Sequence, residues 1–421
     1  MLSRDKFRGI SRIYGGLISR ALEIMLKACW ILAPIAVLGC SRVGGVMKGH
    51  SHQDASIATP PITVEQRESD DAIAAKLIAA KELPKTFKEL GLFTTAQIET
   101  PLASLYKYNV KVPLWSDGAT KTRFIYVPSG SNISFDDKTQ KLVLPRGSIL
   151  IKHFASQDRP VETRVLVYNS DGKWLMATYQ WNGSAEATRV DAPAVTPVGT
   201  FGDSRFRLPS PDECKLCHSP GNGVVLGFQP DQLNAAAHGS AVSPLQELAA
   251  LPGVLEKLFA PGVTDHINDT PKKADPSDPT LSASLRARAY IDVNCAPCHN
   301  PSSTQGFIDL SLATGLHDEY PAILLKFDRV VPGSPSKSYI FQKYIDPLYR
   351  MPPLSRYPDP LGQQLLQDWI TQWPVPATTV GSGTSSSTGK GTTVNVTPKT
   401  GTGSGTAVSS GDQMPPANTQ P

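Results

Sequence analysis

One short pattern, Cys-x-x-Cys-His, occurs at two places in the chain and limits what the chain can fold around. Each copy holds two cysteines three positions apart and a histidine directly after them: Cys214, Cys217 and His218 in the first motif, and Cys295, Cys298 and His299 in the second motif. These four cysteines are all that follow Cys40. After Cys40, no cysteine remains outside the two motifs.

The pattern is typical of covalent haem attachment. The two thiols add across the haem vinyl groups, and the adjacent histidine reaches the iron as its proximal ligand. Residues three apart on a helical turn lie on one side of it, so both sulfurs can meet the same edge of the porphyrin. The sequence therefore predicts two haem c groups, with His218 and His299 ligating iron.

Zinc is the main alternative, because paired Cys-x-x-Cys units can form a tetrahedral thiolate site. Ribbon-type zinc sites separate their two pairs by about 15 to 20 residues, whereas the 77 residues of 218–294 lie between these pairs. Free thiols of an exported protein also tend to form disulfides unless haem consumes them. Both points favour haem.

The second motif has the setting of a small electron carrier. The helical pattern of "LRARAYIDVNC" precedes it, "RMPPL" follows it, and "QQLLQDWITQW" ends the patterned part of the chain. This order resembles class I cytochromes c, in which the first and last helices cross and a methionine in a proline-rich loop is the distal ligand. The resemblance implies that role for Met351, the one methionine between Met176 and Met414.

The first motif lacks such a methionine, because none occurs between His218 and His299. Its sixth iron ligand stays open at this point, including the option that no protein group fills the position. The candidates are His238, His266, His153 and Met176.

The N-terminal residues are typical of an export signal. A basic lead precedes the short apolar run "ACWILAPIAVLG", which is shorter than the about 20 apolar residues of a membrane span. The "VLGC" that ends the run resembles a lipoprotein cleavage site, which implies lipidation of Cys40 and, with Ser41 next, the outer membrane. An ordinary cleavage site is the alternative.

Charge excludes one class of partner. Residues 1–39 contain six basic and two acidic residues, so their removal leaves 35 of each sign in the mature chain. Nucleic-acid binding would need a basic patch on the folded part, and nothing in the sequence calls for one.

The sequence predicts an α+β fold, an antiparallel β domain followed by a mostly helical cytochrome c-like domain. Segments such as "KTRFIYVPSG" and "KWLMATYQWNG" alternate apolar and polar residues, whereas helical spacing dominates from about 231 onward. The predicted parts are a signal peptide (1–39), a lipid tether with a lead-in helix (40–85), the β domain ending in the first motif (86–230), a helical connector (231–279), a cytochrome c domain (280–375) and a disordered tail (376–421).

Six segments together resemble a family of bacterial exported dihaem c-type cytochromes: "VPLWSDGATKTRFIYVP", "LPRGSILIKHF", "TYQWN", "CKLCHSP", "NCAPCHNP" and "RMPPL". The layout from "LPRGSILIKHF" to the first motif is more distantly similar to the small lysine-crosslinked cytochromes that oxidise hydroxylamine. That likeness draws attention to Lys152, although a lysine on a half-buried strand usually just reaches solvent.

Two functions are compatible with these observations. The favoured one is an electron carrier, held at a membrane by its lipid anchor, between a periplasmic donor protein and a periplasmic acceptor protein. The alternative is a redox enzyme whose first haem binds a small molecule such as peroxide or a nitrogen oxide. The sequence offers no convincing distal acid or base, so the carrier is preferred.

Overall fold

We describe the fold from a computed structural model that covers 63–94, 98, 100–183, 186–196, 206–219, 224–303, 308–311 and 328–373. All of these residues belong to one compact unit, Thr59–Pro421. Strands dominate its first part and helices the rest, so the predicted α+β class is confirmed. The boundaries of the predicted domains stay predictions.

A six-stranded antiparallel sheet forms the first part, with the strand order β1-β2-β5-β6-β7-β8. Its strands are β1 (Tyr106–Tyr108), β2 (Thr120–Tyr126), β5 (Ile149–Ser156), β6 (Arg159–Tyr168), β7 (Trp174–Trp181) and β8 (Ala187–Arg189). Two hairpins flank it: β3 (Ser134–Asp136) with β4 (Lys141–Val143), and β9 (Ala194–Thr196) with β10 (Phe206–Leu208). The predicted turn in "NSDG" joins β6 to β7, and the predicted boundary at Pro145 and Gly147 separates β4 from β5.

The two faces of the sheet pack against different neighbours, because successive side chains of a strand point to opposite faces. One face carries residues such as Ile151 and Val165 and packs against helix α1 (Val64–Ile78) and the segment after it. The other face carries Ile125 and Leu150 and packs against helices that follow the first motif.

The helices after the sheet are mostly short. They are α2 (Pro211–Cys217), α3 (Pro230–Leu233), α4 (Pro244–Ala249), α5 (Val254–Leu258), α6 (Val263–Asp269), α7 (Ala283–Asn294), α8 (Tyr339–Ile345) and α9 (Pro360–Gln372). The apolar pattern of "SPLQELAALPGVLEKLF" reads as one helix but forms two. Gly253 divides it, since its backbone lies in the left-handed region at φ 66°.

Helices α7 and α9 pack against each other and form the core of the helical part. Gly362 lies where they meet, and a Cβ atom there would stand 2.3 Å from Tyr290 Cζ and 2.4 Å from Tyr344 Oη. The two tyrosine hydroxyls hydrogen-bond to each other over 2.8 Å. The close approach of the helices therefore requires glycine at this position.

Several predictions fall on residues outside the described part of the chain. They are the signal peptide, the lipidation of Cys40 and the disordered tail after residue 376. Among the helices that the structure does describe, none has the length and apolar character needed to cross a membrane.

Candidate functional site

Both motifs open on one cavity of about 1080 Å³ between the sheet and the helical part. That volume is at the upper end of pockets for a single small ligand. Cys217 Sγ, from the first motif, lies 2.9 Å from Cys298 Sγ of the second. Two segments separated by 77 residues in the chain therefore meet at one site.

The first motif lies on helix α2, whose start is fixed by local hydrogen bonds. Ser210 Oγ accepts from the Glu213 amide, and the Glu213 carboxylate accepts from the Ser210 amide, which together form a capping box. Pro211 follows the cap at the first helical position, where its missing N–H costs nothing. The helix packs against β7 and places Cys214 and Cys217 on one side, three residues apart.

The His218 imidazole is held in one tautomer by a backbone hydrogen bond. Its Nδ1 donates a 2.6 Å hydrogen bond to the Val224 carbonyl, which can only accept, so Nε2 keeps its lone pair. Burial, and after it the charge of Lys152, lowers the pKa of His218 to about 4. The ring is therefore neutral at physiological pH, as a metal ligand must be. Val224 itself lies in the left-handed region at φ 58°, which is unusual for a β-branched residue.

The second motif follows directly from the end of α7. The Cys295 amide donates to the Ile291 carbonyl and the His299 amide donates to the Cys295 carbonyl, so the motif continues the helical turn. Asn300 Nδ2 donates to the Ala296 carbonyl over 2.8 Å, which adds a side-chain hydrogen bond to this turn. Cys295, Cys298 and His299 all line the shared cavity.

Met351 lies on the wall of the same cavity and is 42% exposed. Its loop is tied to the segment between β1 and β2. Trp115 Nε1 donates to the Tyr357 carbonyl over 2.9 Å, and Asp117 accepts 3.1 Å hydrogen bonds from the amides of Arg356 and Tyr357. Met351 therefore lines the cavity that both motifs share, and its role as a distal ligand stays a prediction.

The four cysteines of the motifs are free thiols. The contact with Cys298, followed by burial, raises the pKa of Cys217, while the same contact lowers the pKa of Cys298. Burial raises the pKa of Cys214 and, more strongly, that of Cys295 to about 12. Among the described residues, no group of three or more His, Cys, Asp or Glu side chains could hold a metal ion.

A row of three basic side chains crosses the sheet and lines the cavity that both motifs share. Arg123 on β2 pairs in register with Lys152 on β5, which pairs with Arg164 on β6. We call this set the basic row. Burial, and after it the charges of Arg123 and Arg164, lowers the pKa of Lys152 to about 7. Lys152 is partly exposed and lines the cavity, so the expectation that it reaches solvent from a half-buried strand stays a prediction.

A buried carboxylate lies beside the basic row. Arg164 Nη2 donates a 2.5 Å hydrogen bond to Glu162 Oε1, and Glu162 is fully buried. Burial raises the pKa of Glu162 even though Arg164 and Lys152 oppose this. Sequence reasoning singled out Lys152 but missed Arg123 and Arg164. The alternation of each strand could have given their face, but only the register of the sheet brings them into one row.

The proposed sixth ligands of the first haem lie away from this cavity. His238 lines a smaller cavity with Asp278, 3.8 Å from its Nδ1. His266 stacks on the Phe135 ring, and His153 Nδ1 hydrogen-bonds to Thr163 Oγ1 over 2.8 Å. Met176 is also absent from the residues that line the cavity. The described structure brings none of these four side chains to the first motif.

We compared the chain with models of protein families, with curated proteins and with solved structures, and found no match in any of the three comparisons. The resemblances drawn from the motifs therefore remain expectations from the sequence.

Proposed function

We propose that this chain is an exported, lipid-anchored dihaem c-type cytochrome that carries electrons between periplasmic donor and acceptor proteins. The observation that carries the proposal is the shared cavity, in which Cys217 Sγ and Cys298 Sγ approach to 2.9 Å. Each thiol would attach a vinyl edge of its own haem, so two haems attached there would lie next to each other. That arrangement suits transfer of electrons between them.

Each motif would hold one haem through its own cysteines and histidine. Cys214 and Cys217 would hold one haem and Cys295 and Cys298 the other, while His218 and His299 would supply the proximal nitrogens. A haem bound there supplies reversible one-electron chemistry at its iron. Met351, which lines the cavity, would supply a thioether ligand, and such a ligand stabilises ferrous iron and raises the reduction potential.

Haem content tests the proposal directly. Full-length protein made with the cytochrome c maturation machinery should give two haems per chain in a pyridine haemochrome assay. Cys295→Ala should impair covalent attachment at the second motif, and Cys214→Ala at the first. Zinc in place of iron, or no covalently bound haem in protein made with that machinery, would contradict the proposal.

The membrane anchor needs a separate test, because Cys40 lies outside the described residues. Cells labelled with a clickable fatty acid should mark the wild-type chain but not Cys40→Ala. Cys29→Ala, in the apolar run of the signal, is the matched control and should keep the label. Label that persists in Cys40→Ala would place the anchor elsewhere.

A second function has support from one observation. The suggested sixth ligands of the first haem lie outside the cavity, whereas the basic row lines it. This supports a redox enzyme that binds a small molecule, peroxide or a nitrogen oxide, at the first haem. Carbon monoxide binding to one haem, with an axial high-spin signal in electron paramagnetic resonance, would favour the enzyme. Two low-spin haems that exclude carbon monoxide would favour the carrier.

A further inference from the structure

On the cavity wall that the sheet forms, basic side chains outnumber acidic ones. Four basic side chains lie on or beside the basic row, because Lys121 on β2 contributes a fourth cation near it. Two carboxylates oppose them: Glu162, which is paired with Arg164, and Asp359, whose charge acts on Lys121. Lys121 donates a hydrogen bond to the Leu114 carbonyl, which is neutral and does not offset the charge of the lysine. The wall therefore carries an excess of positive charge.

Arg123 is the member of the row that most needs a partner. Its side chain is only 6% exposed, and it lines the cavity. Within the residues that the structure describes, neither Arg123 nor Lys152 makes a side-chain hydrogen bond or a salt bridge, although the charge of Glu162 acts on Lys152. A buried guanidinium without an anion is strongly unfavourable. An anion in the cavity would therefore stabilise the row, and Arg123 most of all.

We infer that the basic row binds a carboxylate through Arg123, and that this carboxylate is a propionate of the haem attached to the first motif. The inference rests on the proposed function, because it requires a haem at Cys214, Cys217 and His218. Arginine suits this role, since its planar fork donates two parallel hydrogen bonds to a carboxylate.

The direction of the row supports this occupant. The charge of Arg164 acts on both Cys214 and Cys217, so the Arg164 end of the row lies near the first motif. Adjacent strands are about 4.8 Å apart, so the backbone of Arg123 lies about 10 Å from that of Arg164. Haem carries its propionates on the edge opposite the vinyl groups. A haem anchored at the thiols would thus direct its carboxylates toward Arg123.

A small free anion has the same chemistry and is the other possible source. The two sources differ in how the protein responds to added salt. A resident propionate leaves no site for acetate or nitrite, whereas an open anion site would bind them saturably and change the spectrum of the first haem.

The experiment uses the full-length dihaem protein and compares Arg123→Gln with Arg123→Lys. Arg288→Gln is the matched control, because Arg288 is 7% exposed and lines the smaller cavity instead. The readouts are haem per chain, the resonance Raman propionate bending band, and the reduction potential of the first haem as a function of pH and of added acetate.

We expect the wild-type potential to be independent of acetate. In Arg123→Gln, the reduced-to-oxidised ratio of the first haem at a fixed potential should fall about tenfold, the effect of one positive charge removed from a shielded site. The potential should also become dependent on pH between about 5 and 7, because the propionate loses its cation and titrates, and the propionate band should shift. Arg123→Lys should restore the ratio, and Arg288→Gln should leave the first haem unchanged.

Other results would overturn the inference. Saturable acetate binding in the wild type that Arg123→Gln abolishes, with an unchanged propionate band, would assign the row to a free anion. An unchanged potential and band in Arg123→Gln would make the row structural. If Arg123→Gln does not fold, Arg123→Lys decides, because a propionate contact shifts its band and a structural role does not. Wild-type protein without haem at the first motif would defeat the proposed function as well.

Discussion

The first motif and the second motif carry the same residues in the same order, but the chain supports them differently. The first lies on a seven-residue helix that packs against β7 of the sheet, beside Arg164 and Lys152. The second ends a twelve-residue helix that packs against α9, and Met351 stands on its cavity wall. One motif therefore has a charged sheet as its neighbour, and the other has a crossed pair of helices with a thioether.

This difference bears on how the two proposed haems would behave. A thioether ligand raises the reduction potential of a haem, whereas a site without it has a lower one. Buried positive charge raises the potential of a nearby haem, because it favours the reduced and less positive state. We expect the second haem to have the higher potential, with the basic row reducing the gap.

The largest effect should come from removing the thioether. Met351→Leu keeps the bulk but loses the sulfur, so the weak near-infrared sulfur-to-iron band should disappear entirely and the potential of the second haem should fall. Met176→Leu is the matched control, because Met176 lies on β7 outside the cavity lining. A band that persists in Met351→Leu would contradict the assignment and remove the main contrast between the two sites.

The crossing of α7 and α9 should be the next most sensitive point. Gly362→Ala would place a methyl group against Tyr290 and Tyr344, so the helices must separate, and the free energy of unfolding should fall by about 3 kcal/mol. Urea denaturation measures the change. Gln367→Ala, on the exposed face of the same helix, should stay within about 0.5 kcal/mol of the wild type. Equal stability of the two variants would mean that the helices do not meet at Gly362.

The hydrogen bonds that hold the Met351 loop should have a somewhat smaller effect. Asp117→Ala leaves the amides of Arg356 and Tyr357 without their acceptor, which should cost about 2 kcal/mol. The near-infrared band should then be lost at a lower urea concentration than the spectrum of the first haem. Asp117→Asn keeps an acceptor oxygen and should behave almost like the wild type. Loss of both haem spectra together would show that the loop is not a separate unit.

The smallest effect should come from His153 on β5, and this effect depends on pH. Burial lowers the pKa of His153 to about 4, below the 6.5 of an unperturbed histidine. Between these values the unfolded chain binds more protons than the native one, so the free energy of unfolding falls as the pH decreases. His153 should account for about 1 to 2 kcal/mol between pH 7 and pH 5. In His153→Gln this part of the pH dependence should vanish; an unchanged slope would assign acid sensitivity to other groups.

Local signals were sufficient to predict much of the fold. Alternation in "KTRFIYVPSG" and the turn residues of "NSDG" predicted strands that the structure contains, because each depends on a few neighbouring residues. Helical spacing continues on both sides of Gly253, so spacing alone does not indicate that two helices meet there.

The composition of the site was harder to predict, because it depends on register and on tertiary contacts. Nothing local in the sequence indicates that Cys217 meets Cys298, or that Arg123, Lys152 and Arg164 form one row. His238 was a reasonable candidate ligand by its position in the chain, yet it lies beside Asp278 in another cavity. Distances along the chain do not determine which side chains share a cavity.

The contact between Cys217 and Cys298 has a consequence for the order of assembly. Both thiols are exposed to an oxidising compartment if the chain is exported, and the folded chain holds them within 2.9 Å of each other. Folding before haem attachment would therefore favour a disulfide between the motifs, which would consume one thiol of each. Under the proposed function, each motif must receive its haem while the sheet and the helical part are still apart. Maturation and folding thus compete for the same two sulfur atoms, and the yield of dihaem protein depends on which is faster.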